Sequence, residues 1–116
     1  IEGQNVNDSL TLGENIGDLA GVTIGYQAYL KSLDGKADVE IDGMTGAQRF
    51  FKGYAQVWRS KYREDALRSQ LLADPHSPGE FRVNGIAPNV DAFYQAFDVK
   101  EGDGMYLSPA ERVKIW

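Results

Sequence analysis

Cysteine is absent from this chain, and histidine occurs once, at His76. The lack of cysteine excludes disulfide frameworks, thiolate catalysis and every cysteine-based zinc site, although it leaves the redox compartment open. Zinc sites in proteins usually take several nitrogen or sulfur ligands, so a single histidine cannot complete an ordinary zinc site within this chain.

Long apolar runs and a signal peptide are also missing. A membrane-spanning helix needs about 20 consecutive apolar residues, and the apolar stretches here are broken every few positions by Gly, Asp, Lys or Gln. Residues 1–5 contain neither a basic nor an apolar region, so the sequence begins as if cut from a longer protein.

The composition that remains is typical of one globular unit. The chain has 116 residues, 42% apolar and 25% charged, with a net charge of −5. This acidic balance disfavours nucleic acid as a partner. Residues 47–74 are basic, with six cations and three carboxylates. Because Glu64 and Asp65 interrupt that block, and Glu64 can pair with Arg68 one turn on, a solvated helix face is the simpler interpretation.

Apolar spacing and turn residues predict a mainly helical fold with at most one or two short strands. Helices are expected over residues 14–33, over residues 47–73 with a break near 61–63, and through Phe97 after residues 88–91. Pro75 should end the second helix. We also expect a brief strand at 81–83 and a helix start at 108–111. Residues 34–46, with three glycines and four carboxylates, are predicted to form a mobile loop within a single unit, 1–116.

Glycines recur every four residues in the first predicted helix, at Gly17, Gly21 and Gly25. Each costs about 1 kcal/mol relative to alanine in a free helix. That cost suggests close packing against another backbone. If the packing partner is missing, we expect this face to be exposed and to drive self-association of the isolated chain.

Two acidic residues and two cationic ones are the candidates for chemistry. Glu14 and Asp18 are four residues apart, so both project from one helix face. They are either a first-turn acidic pair that complements the helix dipole or a metal ligand, Glu14, with Asp18 orienting an imidazole ligand. His76 and Arg82 are separated by a glycine-containing turn. They are either ordinary surface groups or two hydrogen-bond donors that act together on an oxyanion or a carbonyl.

These residues lie in three motifs that resemble the neprilysin family of zinc metallopeptidases, which includes endothelin-converting enzymes and bacterial oligopeptidases. The motifs, in order, are LTLGENIGDLAG at 10–21, QVWR at 56–59 and DPHSPGEFRVNG at 74–85. Asn89, Phe93, Phe97 and a terminal aromatic residue after Arg112 agree as well. The resemblance covers nearly the whole chain.

The resemblance implies a role for each candidate. Glu14 would be the glutamate ligand of a two-histidine, one-glutamate zinc site, and Asp18 would hold a zinc-bound histidine in its ligating tautomer. His76 would donate to the oxyanion that develops on the scissile carbonyl, and Arg82 would hydrogen-bond a backbone carbonyl of a peptide substrate. The fold implied is the helical C-terminal portion of a thermolysin-like catalytic domain.

The chain also departs from the family pattern. It lacks the His-Glu-x-x-His helix, which supplies two zinc ligands and the general base, and the upstream strand that binds substrate. We therefore expect a C-terminal fragment, ending at Trp116, that is inactive alone and completed by the rest of its catalytic domain. The alternative is a noncatalytic helical scaffold descended from such an enzyme. The lack of cysteine resembles bacterial members, and we expect a periplasmic, secreted or membrane-tethered parent.

Overall fold

The computed structural model describes residues 1 and 3–115. Within them the chain forms five α-helices and one short 3₁₀-helix, and the extended pairing is limited to an isolated bridge between Ile41 and Met44. The helices are α1 (Asp8–Ser32), α2 (Gly46–Val57), α3 (Glu64–Ala73), α4 (Gly79–Asn84) and α5 (Asp91–Phe97), and the 3₁₀-helix (Ala87–Asn89) precedes α5. The mainly helical prediction is confirmed. Over the described residues, no helix is long and apolar enough to cross a membrane.

Helix α1 begins earlier than its apolar spacing predicts. The side chain of Asn7 accepts a hydrogen bond from the backbone N–H of Leu10 at 3.2 Å, which caps the helix seven residues before Glu14. Asp8 in the first turn and Lys31 in the last turn complement the helix dipole. The early start places Glu14 in the second turn of the helix instead of at its first residue.

Helices α2 and α3 occupy the span predicted for one broken helix. Thr45 and Gln48 form a capping box at the start of α2, and the chain leaves helical geometry after Val57. α3 resumes at Glu64 and ends at Ala73, immediately before Asp74 and Pro75. The predicted break and the proline stop are both confirmed.

The strand expected at residues 81–83 is wrong, because these residues lie in α4. The backbone N–H groups of Phe81 and Arg82 both donate to the carbonyl oxygen of Pro78, at 2.9 and 3.2 Å. A short alternation of apolar and polar residues fits one helical turn as well as a strand.

The helix start expected at residues 108–111 forms only a turn. The capping interactions do appear, since the Ser108 hydroxyl donates to Glu111 at 2.7 Å and the Glu111 N–H donates to the Ser108 carbonyl at 2.9 Å. The side chain of Arg112 donates to the Leu107 carbonyl and to Asp91, which ties the tail to α5.

The core is an aromatic cluster between α2 and α5, with α1 lying across it. Phe51 of α2 packs edge-on against Phe93 of α5, with 5.7 Å between ring centroids, and Tyr26 of α1 stacks on Phe51 at 5.5 Å. The buried hydrophobic residues are Leu19, Val22, Phe51, Ile86, Ala87, Val90, Phe93 and Tyr94. This aromatic core fixes α1 relative to the segment that follows α3.

Of the three glycines of α1 that the sequence predicts to pack closely, only Gly25 packs closely against another part of the described chain. Gly25 lies 3.5 Å from the Phe50 ring, as measured from the position of an added Cβ, whereas Gly17 and Gly21 have no described neighbour within 4 Å. The packing expected at Gly17 and Gly21 is therefore not found within the described chain. Gly79 does require its lack of a side chain, because a Cβ there would collide with the carbonyl oxygen of Trp58.

The loop between α1 and α2 is anchored to the start of α2. Both carboxylate oxygens of Asp38 accept backbone hydrogen bonds, from Gly46 at 2.8 Å and from Ala47 at 3.1 Å. Arg49 donates to the carbonyls of Val39 and Met44. The mobility of residues 34–46 stays a prediction.

Candidate active site

The candidate site is a line of polar contacts between one face of α1 and the segment of residues 74–82. We call this line the polar seam, and its members are Glu14, Asn15, Asp18, His76, Ser77 and Arg82. The α1 residues are spaced so that they share a face, and the aromatic core holds that face against the loop that follows α3. All four candidates from the sequence, Glu14, Asp18, His76 and Arg82, are brought together here.

The shallow end of the polar seam pairs Glu14 with His76. Glu14 Oε2 lies 3.2 Å from His76 Nε2, and the two side chains are 46% and 44% exposed. Both groups are therefore in contact with each other and open to solvent. A carboxylate and an imidazole that remain accessible in this way can reach a metal ion or a bound substrate without rearrangement of the backbone.

Asp74 holds the other side of the His76 ring, and sequence reasoning missed it. Asp74 Oδ1 accepts from the His76 backbone N–H at 2.8 Å and lies 2.7 Å from ring Nδ1. The His76 backbone N–H, followed by the His76 side chain, lowers the pKa of Asp74. The local sequence could have indicated this contact, because an aspartate side chain often accepts a hydrogen bond from the backbone N–H two residues later, in an Asx turn.

The deep end of the polar seam is a buried ion pair. Arg82 Nε and Nη2 donate to the two carboxylate oxygens of Asp18 at 2.6 and 2.7 Å, and both side chains are about nine-tenths buried. The guanidinium also lies 3.6 Å over the Trp58 ring. The hydrogen bonds to Asp18 raise the pKa of Arg82, so the guanidinium stays charged.

The described residues do not form a complete metal site. No group of three or more His, Cys, Asp or Glu residues able to hold a metal ion occurs among residues 1 and 3–115. Catalytic zinc sites use three protein ligands. Glu14 is an accessible carboxylate, a group that can ligate zinc.

Comparisons with known proteins place the fold as a whole. The structure superposes with a TM-score of 0.97 and 53% identity on the crystal structure of the zinc metalloprotease Zmp1 of Mycobacterium tuberculosis in complex with an inhibitor. That match covers 99% of this chain and 18% of the other chain. The fold is thus that of the helical part of a zinc metalloprotease domain.

Sequence comparison gives the family. The model of Peptidase family M13 matches residues 1–113. Membrane metallo-endopeptidase-like 1 of Mus musculus is 43% identical over 99% of this chain, and the neutral endopeptidase of Lactobacillus helveticus is 40% identical over 96% of it. The chain belongs to Peptidase family M13, the neprilysin family. It spans 15% and 16% of the length of these two relatives.

Proposed function

We propose that this chain is the C-terminal part of the catalytic domain of a zinc-dependent endopeptidase that hydrolyses peptide bonds in oligopeptides. In this proposal Glu14 is a zinc ligand, His76 contacts the transition state, and Arg82 contacts the substrate backbone. The observation that carries the proposal is the convergence of two distant segments, since Glu14 meets His76 at 3.2 Å and Asp18 meets Arg82 at 2.6 Å. The match to a zinc metalloprotease structure at 53% identity supports it.

The residues present fit a zinc ion in part. Glu14 supplies one oxygen donor, and the remaining ligands would come from the rest of the catalytic domain. Zinc, when bound, supplies Lewis-acid polarisation of the scissile carbonyl and activation of water. The half-exposed position of Glu14 favours this role, because a carboxylate ligand must be reachable from the side where the other ligands arrive.

His76 serves the transition state in this proposal. As a peptide carbonyl becomes tetrahedral, its oxygen gains negative charge, and a preorganised N–H donor stabilises that charge more than the ground state. His76 Nε2 faces the ligand Glu14, and Asp74 fixes the ring from the Nδ1 side. A neutral imidazole carries one N–H, so His76 can donate from Nδ1 to Asp74 and from Nε2 to the oxyanion at the same time only as the imidazolium. In that form the contact with Asp74 orients the ring so that its Nε2 edge faces Glu14.

Arg82 and Asp18 serve substrate binding and positioning. Asp18 engages two of the three guanidinium nitrogens and leaves Nη1 to hydrogen-bond a carbonyl. The sequence predicted that Asp18 would orient a zinc-bound imidazole. Each of its carboxylate oxygens has a second lone pair, so Asp18 can hold Arg82 and still accept from an imidazole supplied by the rest of the domain.

The shape and the exposed apolar residues of the chain favour a larger catalytic domain around it. The radius of gyration is 15.7 Å, against about 13 Å for a compact chain of this length. Leu12, Ile16 and Ile24 of α1 are largely exposed. We propose that the remainder of the domain covers these side chains and Gly17 and Gly21, as it would bring the missing zinc ligands to Glu14.

The test uses the full-length protein that contains this chain. We expect one zinc ion per molecule and cleavage of end-blocked oligopeptides, and Glu14→Gln should lower zinc affinity by more than the about 10–100-fold typical of a residue that only supports a ligand. The exposed Glu101 provides a matched control, Glu101→Gln, which should retain zinc and activity. Full-length protein that folds but neither binds zinc nor cleaves peptides would favour the scaffold alternative.

The isolated chain gives a second, independent measurement. With one proposed ligand, the purified chain of residues 1–116 should not cleave peptides and should bind zinc only weakly. Isothermal calorimetry that gave submicromolar zinc affinity would overturn the proposal of an incomplete site. Sedimentation over a range of concentrations would test whether the exposed face of α1 causes self-association.

A further inference from the structure

A third contact lies between the two ion-paired ends of the polar seam, and the proposed mechanism does not use it. The hydroxyl of Ser77 donates to Asn15 Oδ1 at 3.0 Å, across 62 residues of sequence. Ser77 is 3% exposed and follows His76 directly. Asn15 follows Glu14 directly. The contact therefore joins the immediate neighbours of the two half-exposed residues, Glu14 and His76.

Asn15 is itself held in one orientation. Its Nδ2 donates to Thr11 Oγ1 at 3.3 Å, and the Thr11 hydroxyl donates to the Asn7 carbonyl at 3.1 Å. Thr11 is 3% exposed. Because the Thr11 hydroxyl proton is committed to Asn7, its oxygen must accept from Asn15, and this leaves the amide oxygen of Asn15 for Ser77. The hydrogen bonds therefore all donate in one direction along α1, from Ser77, the residue beside His76, to the Asn7 carbonyl.

The contacts that His76 itself makes cannot replace the Ser77–Asn15 hydrogen bond in holding His76 to α1. The contact of His76 with Glu14 uses a carboxylate that the proposed function assigns to zinc. Asp74 is part of the same segment as His76 and moves with it, and Gln70, which donates to the His76 carbonyl at 3.2 Å, belongs to α3. The pair of Asp18 and Arg82 lies six residues farther along the chain. Ser77 is thus the residue adjacent to His76 that ties it to α1 whether or not Glu14 is occupied.

We propose that Asn15 and Ser77 are positioning residues, which set the distance between the His76 imidazole and the carboxylate of Glu14. This inference rests on the proposed function. Its chemical consequence concerns the transition state alone, since a donor to a developing oxyanion loses its effect when it is displaced by a fraction of an ångström to an ångström. Ground-state binding and zinc binding do not require His76 to be so placed.

The test compares Ser77→Ala, Asn15→Ala and the double variant in the full-length, zinc-loaded protein. We expect kcat and kcat/KM to fall together by about tenfold, less than the about 10²–10³-fold loss expected for His76→Ala. KM and zinc content should stay unchanged. The double variant should lose no more than either single variant, because both remove the same link. Ser69→Ala, which removes an exposed hydroxyl from α3, is the matched control.

A second readout separates positioning from a merely structural role. The inhibition constant of a phosphonate peptide analogue, which mimics the tetrahedral transition state, should rise by the same factor as kcat/KM falls, while that of a product peptide should not change. Variants that unfold at a lower temperature but keep the kcat/KM of Ser69→Ala would overturn the inference and leave the proposed function standing. Unaltered protein that neither binds zinc nor cleaves peptides would overturn both.

Discussion

The aromatic core and the polar seam hold α1 to different parts of the chain by different kinds of contact. In the core, Phe51, Phe93 and Tyr26 pack with ring centroids 5.5 to 5.7 Å apart, and the contact depends on apolar area. In the polar seam, Asp18 and Arg82 approach to 2.6 Å through specific atoms. Apolar packing tolerates small shifts, whereas the hydrogen bonds of the polar seam depend on distance and direction. Helix α1 is thus held by two kinds of contact, one set by buried area and one set by the positions of single atoms.

The polar seam also varies along its length. Asp18 and Arg82 are about nine-tenths buried, whereas nearly half of the side-chain surface of Glu14 and His76 is exposed. A buried charge that loses its partner is costly, while an exposed one is not. We therefore expect the deep end to contribute to folding and the shallow end to contribute to catalysis.

The largest expected effect falls on the core. Phe51→Ala removes a ring that contacts both α1 and α5 and should lower the free energy of unfolding by about 3–5 kcal/mol. Urea denaturation of the full-length protein would measure the loss, and Phe51→Leu should cost much less. Variant protein that remains folded should keep its kcat, since the ring does not reach the site. A large fall in kcat for folded Phe51→Leu would contradict this separation of core and site.

For His76→Ala we expect the reverse, a large loss of activity with little change in stability. If His76 donates to the oxyanion, kcat should fall about 10²–10³-fold, which is about 2.7–4 kcal/mol of transition-state stabilisation. The unfolding midpoint should hardly change, because the side chain is 44% exposed. Stopped assays of peptide cleavage with zinc content measured in parallel would test it. A lower unfolding midpoint together with an unchanged kcat would show that the Glu14–His76 end of the polar seam serves stability and not catalysis.

Arg82→Lys sharpens the difference between the two ends. Lysine keeps the charge but loses the two parallel hydrogen bonds to Asp18 and the stacking on Trp58, so about 1.5–3 kcal/mol of stability should be lost. The matched control is Arg68→Lys, because Arg68 pairs with Glu64 at 2.6 Å on the exposed surface of α3. That pair should contribute at most about 0.5 kcal/mol. Equal losses in the two variants would mean that burial of the Asp18 pair is unimportant.

The smallest expected effect is a pH dependence of the free energy of unfolding that comes from Tyr54, whose hydroxyl donates to the Arg82 carbonyl. Burial, followed by the nearby Asp18 carboxylate, raises the pKa of Tyr54 from 10.0 to about 12. An unfolded tyrosine loses its proton near pH 10, so the folded state binds more protons between about pH 10 and 12, and stability should fall across that interval. Urea midpoints over this range should fall less steeply for Tyr54→Phe than for Tyr62→Phe, which changes an exposed ring. Identical slopes would contradict the shift.

Local chemistry made much of the fold predictable. Pro75 ended α3, the break before Glu64 was visible as a loss of apolar spacing, and Phe93 and Phe97 marked α5. The error at residues 81–83 has a physical cause, because three residues of alternating character do not distinguish a strand from a single helical turn. In the folded chain these residues also make a long-range contact, since Arg82 pairs with Asp18, 64 residues away, and such a contact leaves no local signal in the sequence.

The candidate site was less predictable from the sequence than the helices were. Spacing placed Glu14 and Asp18 on one face, but spacing alone could not bring His76 to that face, and only the resemblance to a peptidase family joined the two segments. The partner of Asp18 was not predicted, since hydrogen bonds between segments more than 60 residues apart leave no periodic signal. Asp74 was overlooked although its local relation to His76 could have been identified.

The absence of a side chain at Gly79 joins two parts of the molecule at one point. The backbone there lies against the carbonyl of Trp58, whose indole supports the guanidinium of Arg82. Even one added methyl group would push the end of one helix away from the start of another and tilt the ring on which the cation rests. A side chain at Gly79 would therefore disturb both the junction of α2 with α4 and the surface on which the Arg82 guanidinium rests, without altering any charged group.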